Sequence, residues 1–214
     1  MQELEGKQMK RNPRFVAILA LLSSAAPPLL GDTETFAFDK AHTLIGFRVR
    51  HVLTKVEGRF KGFDGTIWID RANPSASKVE LTVQAASIDT GVDARDNDLR
   101  SPNYFDVTKY PTISFKSSRI EPKGNDQYDV TGEFSMHGVT KTIRVPVKAL
   151  GFGRMGKTEK AGFEIALPIN RKDYGIVSGT PVVGEDIEIN IQVEANKQEP
   201  QEPKPPAAPT PAKG

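Results

Sequence analysis

Apolar and polar residues alternate through most of the middle of the chain. Ile45, Phe47 and Val49 are interleaved with Gly46, Arg48 and Arg50, and Val79, Leu81, Val83 and Ala85 with Glu80, Thr82 and Gln84. The pattern returns at 143–148, at Phe163, Ile165 and Leu167, and at Ile187, Ile189, Ile191 and Val193. Shorter stretches at 112–118 and 127–136 behave alike, carrying Ile113 and Phe115, then Tyr128, Val130, Phe134 and Met136. A period of two gives an extended chain one apolar face and one wet face. Turn formers separate the runs: Asn73-Pro74, Lys123-Gly124-Asn125-Asp126, His137-Gly138, and the glycines at 151–156. This predicts eight to nine strands and one short helix, Asp93 to Ser101. One-faced strands joined by short turns predict an all-β fold, a single antiparallel β-barrel of about eight strands, with a two-sheet sandwich as the alternative. A barrel of that size either packs its interior solid or holds one small apolar ligand, and periodicity does not choose between them.

The two ends of the chain read differently. Lys10, Arg11 and Arg14 precede an apolar run, 15–22, and then Ser23-Ser24-Ala25-Ala26. A basic segment, a short apolar segment and small residues are the marks of a cleaved signal peptide, here placed at 1–30. Eight apolar residues fall short of the roughly twenty that span a bilayer, and Pro27 and Pro28 interrupt any extension. The expected location is therefore periplasmic or secreted, with no stable membrane insertion once the leader is removed. At the other end, 197–214 holds six prolines and no large apolar residue. Such a stretch cannot bury enough surface to offset its ordering entropy, so a disordered Pro-rich tail is expected there. The domain lies between, at 31–196.

Composition narrows the chemistry. The 214 residues include no cysteine, which excludes a disulfide framework, a thiolate metal site and a catalytic cysteine. Removing residues 1–30, with four basic and two acidic groups, leaves 25 charges of each sign, so no nucleic-acid partner is expected. Gly151-Phe-Gly-Arg-Met-Gly156-Lys157-Thr158 matches a P-loop, but that loop needs a helix directly after it, and 161–169 alternates as a strand. It reads as a flexible hairpin loop. The three histidines, His42, His51 and His137, are scattered and read as ordinary hydrogen-bonding groups, with no metal and no cofactor expected. Two polar clusters, Arg95-Asp96 and 170–175, read as salt bridges or turn caps, or else as a polar lid over a pocket.

Several motifs occur in order and without a large gap: Asp39-x-x-His42-Thr43-x-Ile45-x-Phe47, Val56-x-Gly58-x-Phe60, Ser87-Ile88-Asp89-Thr90-Gly91, Tyr110-Pro111-Thr112-x-x-Phe115, Gly132-x-Phe134-x-Met136-His137-Gly138, and Asn170-Arg171-x-Asp173-Tyr174-Gly175. Over about residues 35–195 the chain resembles the YceI family of lipid- and polyisoprenoid-binding proteins. Asp98 departs from it, standing where the family more often has a histidine. The resemblance implies a lipocalin-like barrel whose hydrophobic tunnel holds an isoprenoid, a quinone or a fatty chain, and no enzymatic activity. The residues expected to line that tunnel are Phe47, Val49, Leu81, Val83, Phe115 and Phe134, with Arg95 and Arg171 as candidates for its polar end. A filled structural or adhesion barrel and an enzyme acting on a lipid-like molecule are the other readings, and a homodimer stays open.

Overall fold

The computed structural model describes residues 33–199. The expected leader at 1–30 and residues 200–214 of the expected tail lie outside the described residues. In chain order the elements are β1 (Glu34–Phe38), β2 (Leu44–His51), β3 (Thr54–Phe60), β4 (Phe63–Ile69), β5 (Lys78–Gln84), β6 (Ile88–Asp89), α1 (Asp93–Arg100), β7 (Thr112–Gly124), β8 (Gln127–Met136), β9 (Val139–Met155), β10 (Thr158–Asn170) and β11 (Val183–Lys197). Lys197 thus ends the last strand rather than beginning the tail. Its register opposite Phe36 of β1 holds it there.

Eight strands pair antiparallel in the order β1-β4-β5-β7-β8-β9-β10-β11, and β11 returns to β1, which closes the barrel. β2, β3 and β6 continue the wall past one end, β2 pairing with the first part of β11. Since β1 and β2 are two halves of one bent segment, and β3 and β4 of another, the path round the barrel follows chain order. Closure removes the unpaired edges that an open sheet would leave. Asn125-Asp126 and His137-Gly138 all have positive φ, the geometry that matches a two-residue hairpin to the strand twist. Gly151 to Met155 are not a loop, as the sequence suggested. They belong to β9 and pair with β10 as far as Met155 opposite Thr158, leaving Gly156-Lys157 as the turn. Gly151, at φ 103°, sits at a bulge where the register shifts between Gly162 and Phe163, so its glycine serves strand geometry.

The bend between β1 and β2 is pinned by ionic and hydrogen-bonding side chains. His42 Nδ1 lies 3.0 Å from Asp39 Oδ2, and Lys160 Nζ donates to Asp39 Oδ2 at 3.0 Å and to Glu194 Oε1 at 2.5 Å. Thr43 Oγ1 donates to the Glu194 carbonyl at 3.0 Å and accepts from the Glu194 amide at 3.2 Å. The His42 ring and then the Lys160 ammonium hold the Asp39 carboxyl far below the usual carboxylate range, against the cost of its partial burial. A lowered folded-state pKa means that the unfolded chain binds more protons. The resulting stability is complete above the ordinary carboxylate pKa of about 4 and is lost as pH falls below it. Asp39→Asn is expected to lower the thermal midpoint at pH 7 by about 2–4 °C, as ~1 kcal/mol does in a domain of this size. It should also flatten the decline of that midpoint between about pH 4 and pH 2. Parallel acid curves for variant and wild type would contradict this account.

The interior holds two packed clusters. One, which includes Phe60, Ile88, Ile113, Met136 and Tyr174, lies toward α1. The other, around Phe36, Ile67, Val193 and Ala195, lies toward the end where β1 starts and β11 finishes. The helix has a single large apolar residue, Leu99, which faces the interior. Polar ties fix it instead: buried Asp96 accepts from the Thr90 amide at 2.9 Å, and Arg100 donates to the carbonyls of Ala86 and Ile88 at 2.8 and 2.7 Å.

Candidate functional site

The barrel encloses a cavity of about 480 Å³, within the usual range for small-molecule sites. Its wall runs from Asp70, Arg71 and Phe152 at one mouth to Tyr104, Arg171 and Ile176 at the other. Phe47, Val49, Leu81, Val83, Phe115 and Phe134 all line it. Five of these are only half-buried, as are Ile143, Val145 and Val147 of β9, although every one faces inward. In a solid core such side chains would be covered by those opposite. Val83 is the exception, 4% exposed and packed in the cluster with Ile88 and Ile113.

Two glycines let aromatic rings lie along the wall. Gly58 faces Phe47 across β2 and β3, and a Cβ there would stand 2.3 Å from the ring. A Cβ on Gly132 would stand 2.4 Å from the Lys116 carbonyl oxygen and 2.7 Å from Phe115. Phe38, Ile67 and Ile69 also line the cavity and were not singled out from the sequence. A signal for the latter two existed, since Phe63, Ile67 and Ile69 alternate with Asp64, Thr66 and Trp68. Gly65, which lies under the Phe38 ring, interrupts the apolar series.

The two arginines differ in position. Arg171 reaches the wall but is 3% exposed, and four of its five N–H donors have protein acceptors. Nε donates to the Gly184 carbonyl at 2.8 Å, Nη1 to Ile176 at 2.7 Å, and Nη2 to Val183 at 3.1 Å and Thr180 Oγ1 at 3.3 Å. It clamps the connection between β10 and β11. Arg95 is not on the cavity wall; its guanidinium donates to Thr90 Oγ1 at 2.7 Å and the Thr90 carbonyl at 2.9 Å. Near it, polar residues hold α1 to the barrel end. In the 170–175 cluster Tyr174 is 2% exposed and meets Phe134 edge-on at 5.3 Å, and this burial pushes its phenol pKa up.

At the opposite mouth the charged groups are likewise engaged. Asp70 Oδ1 accepts from the amides of Ala72 and Asn73 at 3.0 and 2.8 Å. Arg71 pairs with Glu34 and Glu159, both at 2.5 Å, and stacks 3.9 Å over Phe152. Asp39, His42 and Glu194 bring three potential metal ligands together, but the Lys160 ammonium bridges the two carboxylates and already supplies a cation. The P-loop match has no helix after it: β10 begins at Thr158. Lys157→Ala should therefore leave the melting temperature unchanged, and calorimetric titration with ATP and magnesium should give no heat. Micromolar binding would overturn this assignment.

The profile of the YceI-like domain matches residues 36–195. The protein YceI of Shigella flexneri is 34% identical over 196 residues, which cover 89% of this chain and 100% of that one. The crystal structure of the Campylobacter jejuni YCEI protein superposes with a TM-score of 0.62 at 35% identity, over 75% of this chain and 96% of that one. A polyisoprenoid binding domain from Saccharophagus degradans shares the fold, with a TM-score of 0.59 at 17% identity over 76% of this chain and 98% of that one.

Proposed function

The chain belongs to the YceI-like family, and on that premise we propose that it binds one hydrophobic chain inside the barrel and carries it chemically unchanged. The ligand class is an isoprenoid, a quinone tail or a fatty chain. The observation that carries this reading is the cavity of about 480 Å³ lined by inward apolar side chains that remain half-buried. A wall with so few polar partners holds water poorly. Each methylene buried against it contributes about 0.8 kcal/mol, so a long chain binds tightly with few polar contacts. A non-enzymatic role is supported by the charged side chains on the wall, Asp70, Arg71 and Arg171, which are committed to turns and ion pairs. Work in the periplasm or outside the cell is supported by the basic and apolar pattern at 10–26.

Organic extraction of the protein purified from the exported fraction of its native host, followed by mass spectrometry, tests the whole reading. About one isoprenoid or fatty-chain molecule per protein is expected. Pure protein that neither carries nor takes up any lipid would make the barrel a structural module. Conversion of an added lipid would make it an enzyme, and recovery from the cytosol alone would overturn the location.

A further inference from the structure

The mouth at the end of β2 carries an apolar rim that the cavity does not use. The turn between β2 and β3 is Val52-Leu53, with His51 opposite Thr54. Leu53 is 93% exposed and Val52 52%. Two local rules fail there together. Hairpin turns favour glycine, asparagine or aspartate, and Val52 is a β-branched residue at φ 51°, in the left-handed region. Its backbone is strained, and its neighbour shows nearly all of its apolar surface to water. Such paired violations are expected where function, rather than folding, selects the residues.

The rim is built onto the mouth. The Val52 amide donates to the Val182 carbonyl at 3.0 Å, which brings Val182, 46% exposed, alongside; Val177, 60% exposed, belongs to the same connection, where its carbonyl accepts from Thr180 Oγ1 at 3.2 Å. The Arg171 clamp keeps this connection in place. Val49 and Val183 line the cavity and stand three residues and one residue from Val52 and Val182. The cavity lining therefore ends within a few residues of the tip, with the exposed polar side chains of Arg50 and His51 between. Arg50 Nη1 donates to the Val52 carbonyl at 3.2 Å, and the guanidinium has no carboxylate partner among the described residues. The described chain enters and leaves the barrel at the other end, where Phe36 lies opposite Lys197.

We propose that the Val52-Leu53 turn, with Val177, Val182 and Arg50, docks on the surface of a lipid bilayer so that cargo passes between membrane and barrel without crossing water. The proposal rests on the carrier reading above. A chain that binds an apolar lumen is nearly insoluble, so its source is a membrane. Interfacial docking needs a small apolar insertion and a cation at headgroup level, and the rim offers both. A second copy of the protein is the other occupant to be tested.

The full chain has no cysteine, so a thiol-reactive, environment-sensitive dye can be placed at one position only. Dye on Leu53→Cys is expected to shift to the blue when vesicles of phosphatidylethanolamine and phosphatidylglycerol are added. Dye on Leu150→Cys, 56% exposed and near the opposite mouth, should not shift. Loaded with a pyrene-labelled fatty acid, Leu53→Asp should deliver it to such vesicles about tenfold more slowly or worse, the factor expected when one exposed leucine no longer enters an apolar phase. Its retention of the probe without vesicles should match wild type. An unshifted dye at 53, an equal shift at both positions, or wild-type transfer by Leu53→Asp would overturn docking. So would a change from dimer to monomer in Leu53→Asp, which would make the rim a self-association surface. Failure of wild type to take up the fatty acid from solvent would sink the carrier reading instead, and the dye would still decide docking.

Discussion

Val145→Trp is expected to fold normally and to bind almost no lipid. Val145 lies opposite Val130 on the inner face of β9, lines the cavity and is only half-buried. An indole there enters space rather than another side chain. If it displaces three or four methylenes of cargo, the loss is about 3 kcal/mol, or roughly a hundredfold in affinity. Val83→Trp should behave in the opposite sense. Val83 also borders the cavity but is 4% exposed against Ile88 and Ile113. Overpacking at such a position typically costs about 1–3 kcal/mol for far smaller additions than an indole, so the variant should melt well below wild type. Thr82→Trp, on the exposed outer face of the same strand, should retain both stability and cargo. Thermal midpoints of delipidated proteins and lipid extracted per mole decide the matter. Equal destabilisation by Val145→Trp and Val83→Trp would mean that the barrel is packed solid and that no carrier site exists.

Arg171→Met should be the most destabilising single change at the mouth. Methionine keeps the apolar stem but removes the donors that satisfy the carbonyls of Ile176, Val183 and Gly184. A buried acceptor left without a partner costs about 1–3 kcal/mol, so three of them imply a loss of about 3 kcal/mol or more. In a domain of this size that lowers the melting temperature by roughly 6–12 °C. Arg171→Lys should recover little, since an ammonium cannot reproduce the planar fork that serves three carbonyls at once. A contact with the ligand head would give another signature, in which Arg171→Met melts like wild type but binds weakly. That result would return Arg171 to the polar end of the ligand.

The sequence carried the architecture because its signals are local. Alternation such as Ile187, Ile189, Ile191 and Val193 fixes which face of a strand is apolar, and Asn125-Asp126 and His137-Gly138 fix where strands reverse. The short helix, predicted from Asp93 to Ser101, runs from Asp93 to Arg100. Six apolar wall residues followed from the same alternation. The glycines at 151–156 misled because glycine signals a loop and a strand bulge equally well, and only pairing with β10 distinguishes them. The partners of the arginines were not legible, because residue type shows a charge but not what it meets. Arg171 finds its acceptors in residues 176–184 only once the connection folds back over it, and Arg95 turns to Thr90. The sequence by itself therefore determined antiparallel strands with one apolar face each and favoured a barrel over a sandwich, and the return of β11 to β1 closed it. Whether the apolar lining meets in the middle, as at Val83, or stands apart, as at Val145, was decided only by the tertiary structure. Packing depends on the summed volumes of side chains from strands far apart in the chain, and no local pattern encodes that sum.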